Sequence, residues 1–301
     1  MQFDSKGSET AEGRDPTVPP MARLPVVTPE QLRQHPRFDE ALHLSAGGLV
    51  RLSSGNRIFN RLLADKGRAV FAHFILYLHA LPESAGGGLT AARMGALCAE
   101  MNICSRGRAR ALLALMRWAG HVAPLEAATD RRERPLAPTE AMVSLQRERW
   151  RIQYGAVSLL DPAMAAVPAA LEHMVFFNHL ALSMGRCYRA GFRLLDVVPA
   201  LALIIERDGG VMVLNSLLVR GNEGAPPPAV AELARNFHIS RAQVLHVLRV
   251  AEAEGLLTRG DVGAGRLTPQ GRDALGGFYA GLFTVFINCA HEALYATRGR
   301  I

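Results

Sequence analysis

The pattern of apolar and polar positions is clearest in residues 228–275. There it predicts a helix, a tight turn, a second helix, a short hairpin and the start of a long helix. Ser240 is predicted to cap the second helix, because its hydroxyl can accept a hydrogen bond from a free amide of the first turn. Gly255 stands where a left-handed residue is expected to end that helix. The positions predicted to face the core are Val244, Val247, Leu248 and Ala251.

The opposite face of this helix carries polar side chains of the kind that reach phosphates and base edges in a DNA major groove. These side chains are Arg241, Gln243, His246 and Arg249. The pattern suits a helix-turn-helix followed by a wing. Taken alone, it suits an ordinary helical hairpin with a solvated polar face equally well.

A second copy of the pattern occurs in residues 89–150. Ser105 takes the place of Ser240 and Gly120 that of Gly255, and both intervals are fifteen residues. The matching core positions are Ala109, Leu112, Leu113 and Met116. A repeat at this separation predicts a diverged duplication that forms two domains.

The length of 301 residues also suits two domains of roughly 150 residues, each able to bury a core. Residues 1–25 carry acidic side chains and no apolar core, which predicts a disordered tail and not a signal peptide. Residues 26–165 and 166–301 are the predicted domains, with the boundary in residues 161–168. The predicted fold class is mainly α with small β-hairpin wings, as two winged helix-turn-helix domains in tandem that form a pseudo-dimer.

Caps and helix breakers place the other helices. Thr28 precedes Pro29, and Gln31 can close a capping box, so a helix begins here and ends near Pro36. Further helices are predicted over residues 38–43, 49–64, 138–160, 169–185, 192–206 and 269–296.

The charge of the chain favours an anionic partner. The formal net charge is +7 and the isoelectric point is near 9.7. No acidic residue occurs between Ser105 and Arg117, a segment that also contains Arg106, Arg108 and Arg110. Arginine at a helix start and in a hairpin is typical of phosphate contacts, so we infer that the first copy supplies more of the nonspecific affinity.

Composition points away from a membrane and from an oxidising compartment. Hydrophobic residues make up 49% of the chain, but no apolar run approaches the ~20 residues of a membrane span. Four cysteines without paired spacing suit a reducing cytoplasm. We therefore expect a cytoplasmic, nucleoid-associated protein with no membrane contact.

Two short motifs resemble those of MarR-type regulators, which carry a D-x-R wing followed by L-T-x-x-G. The first copy contains Asp130-Arg131-Arg132, and the second contains Leu267-Thr268-Pro269-Gln270-Gly271. The chain resembles a tandem fusion of two such units. This resemblance implies a transcriptional regulator, with repression the expected direction, whose recognition helices enter the major groove of double-stranded DNA. It also implies that Arg132 of the wing enters the minor groove.

The candidate DNA-binding residues combine both copies and their wings. They are Ser105, Arg106, Arg108, Arg110, Arg131, Arg132, Arg134, Ser240, Arg241, Gln243, His246, Arg249, Arg259 and Arg266. Because the two helices carry different side chains, we predict that one chain reads two unlike half-sites. The chain is then either a monomeric pseudo-dimer or part of a homodimer. A small-molecule effector is possible, and its identity is open.

Motifs for chemistry are incomplete. The run from His291 begins like the zinc motif H-E-x-x-H but ends in Tyr295, so one helix ligand is missing. Residues 86–88 are glycines without the lysine or the preceding strand of a phosphate-binding loop. Cys98 and Cys104 are interpreted as structural thiols, and oxidant sensing, which some MarR-type proteins carry out through cysteine, stays open as the alternative. We predict no enzyme activity, no metal and no cofactor.

Two alternatives stay open beside a transcriptional regulator. Tandem winged helices also build chromosome-segregation scaffolds, which use these surfaces to bind proteins. Such scaffolds tend to be acidic, unlike this chain. A plasmid replication initiator also joins two winged domains, and only the DNA target distinguishes it from a regulator.

Overall fold

The computed structural model describes residues 27–63, 65–125, 135–192, 194, 198–260 and 263–301. These residues are mainly helical and include two small antiparallel hairpins. The helices are α1 (Pro29–Arg33), α2 (Phe38–Ser53), α3 (Arg57–Leu62), α4 (Lys66–Ala80), α5 (Ala91–Glu100), α6 (Arg106–Trp118), α7 (Glu140–Val157), α8 (Val167–Ala170), α9 (Met174–Arg189), α10 (Ala202–Ile205), α11 (Gly210–Asn222), α12 (Val230–Asn236), α13 (Arg241–Ala253) and α14 (Pro269–Ala296). Short 3₁₀ turns occupy Glu83–Ala85, Pro162–Ala166 and Pro199–Leu201.

The strands form two hairpins. β1 (Val122–Pro124) pairs with β2 (Leu136–Pro138), and β3 (Leu257–Thr258) pairs with β4 (Arg266–Leu267). The same order of four helices and one hairpin therefore occurs twice. We call α4–α7 with β1 and β2 unit 1, and α11–α14 with β3 and β4 unit 2.

Helices α2 and α9 join the two units. Helix α2 packs on α7 of unit 1 and on α11 of unit 2, whereas α9 packs on α14 of unit 2 and on α4 of unit 1. Each connecting helix thus contacts the last helix of one unit and the first helix of the other. Gly185 allows the close approach of α9 to α4, because a Cβ atom there would lie 2.0 Å from the ring of Tyr77.

The hydrophobic core runs continuously through both halves of the chain. Trp150 packs against Phe177, with ring centres 4.9 Å apart. Tyr154 packs against Phe286, and its hydroxyl donates to the Phe286 carbonyl oxygen at 3.0 Å. The division into domains at residue 165 stays a prediction, and these contacts cross that position.

Helix α14 is the longest helix that the structure describes, at 28 residues. It is long and apolar enough to cross a membrane, with a mean hydropathy of 1.3 over its most apolar window. Within the protein, 72% of that window is buried, since the helix contacts α1, α7 and α9. Its apolar side chains therefore contribute to the core.

Two helix boundaries predicted within residues 38–64 are wrong. Residues 38–43 belong to one continuous helix, α2, that runs to Ser53, and a separate helix follows from Arg57. Gly47 and Gly48 do not interrupt α2 because they lie against other helices, and a Cβ atom on Gly48 would come 2.4 Å from Ile152.

The helix predicted over residues 192–206 is also wrong in its described part. That part contains a 3₁₀ turn at Pro199–Leu201 and the one-turn helix α10. Proline fixes its own φ and disfavours a helical conformation in the residue before it, which explains the break. By contrast, the predicted start of α14 at Pro269 and its end near Ala296 are confirmed.

Candidate nucleic-acid interface

The turns before α6 and α13 have the same backbone geometry. Asn102 and His238 have φ angles of 53° and 51°, in the left-handed region. The predicted caps follow, and both are confirmed: Oγ of Ser105 accepts from the Arg108 amide at 3.2 Å, and Oγ of Ser240 accepts from the Gln243 amide at 3.0 Å. These hydrogen bonds fix how α6 and α13 begin.

The ends of the two helices also match. Gly120 has a φ angle of 75° and Gly255 one of 71°, as predicted for left-handed C-terminal residues. The hydroxyl of Thr139 donates to the Gly120 carbonyl oxygen at 2.6 Å, and that of Thr268 donates to the Gly255 carbonyl oxygen at 2.7 Å. Each hairpin and the helix after it are thereby tied to the preceding helix in the same way.

Helix α6 exposes its arginines. Its predicted core positions are buried, which leaves Arg106, Arg108 and Arg110 exposed. Arg108 lies 3.9 Å from a carboxylate oxygen of Asp65. None of the described ion pairs includes Arg106 or Arg110. The start of α6 therefore presents uncompensated positive charge to solvent.

Helix α13 exposes fewer of its predicted contact residues. Arg241 and Arg249 are exposed, whereas Gln243 and His246 are partly buried. Nε2 of Gln243 donates to the Asp208 carbonyl oxygen at 3.3 Å. Nε2 of His246 is shielded from solvent and has no partner among the described residues. The two helices thus differ both in sequence and in accessible charge.

The hairpins carry the remaining candidates. Arg259 and Arg266 are exposed, and Arg266 pairs with Thr258 across the hairpin of unit 2. The wing arginines of the first copy, Arg131, Arg132 and Arg134, lie outside the described residues.

A series of polar contacts connects the starts of α6 and α13. Asp65 lies 3.3 Å from Arg68 as well as 3.9 Å from Arg108. Arg68 in turn lies 3.7 Å from Asp208, whose carbonyl oxygen binds Gln243. Asp65, Arg68 and Asp208 therefore link the start of α6 to the start of α13. Asp65 brings negative charge next to Arg108 of α6.

The residues predicted from the sequence did not include Asp65, Arg68 and Asp208. Asp65 caps α4, since its Oδ1 accepts from the Arg68 amide at 2.7 Å, and an aspartate before a helical pattern is a recognisable capping signal. Nothing in the sequence indicated that this cap faces α6. Another missed feature is Trp118, which is 75% exposed at the end of α6 and lies under the guanidinium of Arg61.

The residues considered for chemistry make structural contacts instead. Nε2 of His291 lies 2.6 Å from a carboxylate oxygen of Asp161, and Glu292 pairs with Arg186. Within the part of the chain that the structure describes, no group of three metal-binding side chains occurs. Burial raises the pKa of Cys98 to about 12, and Cys104 lies beside it. A raised pKa disfavours the thiolate that oxidant sensing requires.

Comparisons of the chain with protein-family models, with curated proteins and with solved structures found no match. Its own geometry and charge therefore carry the interpretation of its function.

Proposed function

We propose that the chain is a sequence-specific double-stranded DNA-binding protein with two winged helix-turn-helix units, acting as a transcriptional regulator. In this proposal α6 and α13 are the recognition helices and the hairpins are the wings. The resemblance to MarR-type regulators favours repression, and four cysteines without paired spacing favour a location in the cytoplasm.

One observation supports the proposal most strongly. The cap, the left-handed glycine and the threonine contact recur in both units, and in each unit they hold a helix whose start exposes arginine. A coincidental helical hairpin would not repeat these two hydrogen bonds and the left-handed glycine at matching positions. Exposed arginine at a helix start is suited to phosphate and guanine contacts.

The difference between the two helices supports an asymmetric target. Unit 1 offers Arg106, Arg108 and Arg110, whereas unit 2 offers Arg241 and Arg249 with Gln243 partly buried. We expect two unlike half-sites, with unit 1 contributing more of the salt-dependent affinity.

Fluorescence anisotropy with labelled duplexes tests the proposal. The full chain is titrated against DNA from upstream of its own gene and against scrambled duplexes, over a range of salt concentrations. We expect the logarithm of the affinity to fall linearly with the logarithm of salt concentration, by about 0.9 per phosphate contact. Changing both Arg106 and Arg110 to glutamine should make this slope shallower by about two units.

Arg298→Gln is the matched control, because Arg298 is exposed beyond the last helix. Its salt dependence should equal that of the unchanged chain. Lack of salt-sensitive binding to any duplex would refute the proposal and favour a protein-binding scaffold. A footprint that is a perfect palindrome, with each half bound by one chain, would refute the unlike half-sites.

A further inference from the structure

A cavity of about 310 Å³ lies between the two units. Matching positions of both units line it. Val70 lies on α4 and Met212 on α11, the first helix of each unit. Arg149 of α7 comes ten residues after Thr139, and Phe278 of α14 comes ten residues after Thr268, so the two positions match in sequence. Both units therefore line the cavity. At one matching position unit 1 has the charged Arg149, whereas unit 2 has Phe278.

Among the described residues, no carboxylate pairs with Arg149 in this cavity. Nη1 donates to Oε1 of Gln146 at 3.0 Å, and the guanidinium carbon lies 6.0 Å from the centre of the Phe59 ring. Its Nε is shielded from solvent and has no partner among the described residues, and none of the described ion pairs includes Arg149. Burial lowers the pKa of Arg149 to about 10. An unpaired cation in such surroundings is unfavourable until an anion joins it.

His73 provides a second polar group on the same wall. Its Nε2 is shielded from solvent and has no partner among the described residues, and its ring packs edge-on against Trp150. Burial lowers the pKa of His73 to about 4, so the imidazole is neutral near pH 7. Most of the remaining lining is apolar, with contributions from Phe74, Tyr188, Leu282, Val285 and Phe286.

We propose that this cavity binds one amphipathic carboxylate, with the carboxylate paired to Arg149 and the hydrocarbon body against the apolar wall. The volume is at the lower end of the range of about 300–1,000 Å³ for small-molecule sites. A carboxylate supplies a counterion for the guanidinium of Arg149. The hydrocarbon body removes the apolar lining from water.

The ligand carries a single negative charge. Asp65 also lines the cavity, where it already pairs with Arg68 and Arg108. Its carboxylate repels a second anionic group, and Arg149 offers one guanidinium. Binding in this cavity does not depend on the proposed DNA-binding function, so a chain without affinity for DNA should still bind the ligand.

Isothermal titration calorimetry of the full chain tests the proposal with three probes that share one alkyl chain. Sodium decanoate, below its micelle concentration, is compared with decanol and with decyltrimethylammonium. We expect one decanoate per chain, bound about tenfold or more tightly than decanol, as a charge-assisted hydrogen bond in an apolar site implies. Equal affinity for decanoate and decanol, or binding without a defined stoichiometry, would overturn the proposal.

Variants then test the roles of the charge and the cavity. Arg149→Met should reduce the affinity for decanoate to that for decanol, and Arg149→Lys should keep part of the preference. Leu282→Trp should block the cavity and abolish binding of both probes. Arg151→Met is the matched control on the same helix, because Arg151 pairs with Glu148 and Glu172 away from the cavity. Its decanoate affinity should not change.

Circular dichroism confirms that each variant is folded before titration. If Arg149→Met is unfolded, the proposal is tested by the affinities of decanoate and decanol for the unchanged chain and for Leu282→Trp. Unchanged decanoate binding in a folded Arg149→Met or Leu282→Trp variant would refute this site.

Discussion

Replacing Gly185 by alanine tests how α9 joins the two units. The new Cβ atom would lie 2.0 Å from Cδ2 and 2.5 Å from Cγ of Tyr77. Carbon atoms in contact are about 3.5–4.0 Å apart, so the ring or the helix has to move by about 1.5 Å. Tyr77 is only 2% exposed, so its ring is surrounded by other parts of the protein. Overpacking of this kind costs about 1–3 kcal/mol of the free energy of unfolding.

A matched control isolates the steric effect from the effect of glycine on helices. Gly155 is exposed near the end of α7, and a Cβ atom there would have no neighbour within 4 Å. Alanine is preferred over glycine in a helix by about 0.5–1 kcal/mol. Gly155→Ala should therefore stabilise the protein, whereas Gly185→Ala should destabilise it.

Urea unfolding of the full chain measures both effects. Circular dichroism and the fluorescence of the tryptophans should report one shared transition, because α2 and α9 connect the units through a continuous core. The midpoint should fall for Gly185→Ala and rise for Gly155→Ala. A Gly185→Ala variant as stable as the unchanged chain, or two transitions of which only one shifts, would refute this account of the packing.

Two further predictions concern charge. Burial lowers the pKa of His73 to about 4, from about 6.5 in an unfolded chain. Between these pH values only the unfolded state takes up the proton. The free energy of unfolding therefore falls as the pH drops from about 6.5 to about 4. His73→Gln should reduce this loss by about 1–3 kcal/mol in urea unfolding at pH 4.5 and 7.5, and an equal loss in both proteins would contradict the assignment. Asp65→Asn keeps an oxygen that can cap α4 and removes the negative charge beside Arg108, so DNA affinity should rise and the salt slope should steepen by about one unit. An unchanged slope in anisotropy titrations would show that Asp65 does not compete with phosphate for Arg108.

Local signals in the sequence predicted the parts of the fold that local interactions determine. Ser105 and Ser240 cap their helices because a hydroxyl at that position reaches amides in the next turn. Gly120 and Gly255 adopt left-handed angles that other residues adopt at a cost. The spacing of apolar residues in α6 and α13 likewise identified the buried faces.

Contacts between distant segments were not predictable in the same way. Gly47 and Gly48 look like a helix break, yet they lie within α2 where other helices approach closely. Arg149 stands in a polar stretch of sequence that suggests a solvated face, and only the packing of the helices around it shows that it lines a cavity. Helices α2 and α9 each pack on both units, and no local pattern in the sequence encodes these long-range contacts.

The difference between Arg149 and Phe278 has a consequence for how such a protein can evolve. In a symmetric dimer of identical chains, every residue near the axis is present twice. An arginine at this position would then bring two guanidinium groups to the same apolar enclosure, and their mutual repulsion would add to the loss of hydration. With both halves on one polypeptide, each position mutates independently of its counterpart. The cavity can therefore hold one arginine, with a phenylalanine at the corresponding position of the other unit.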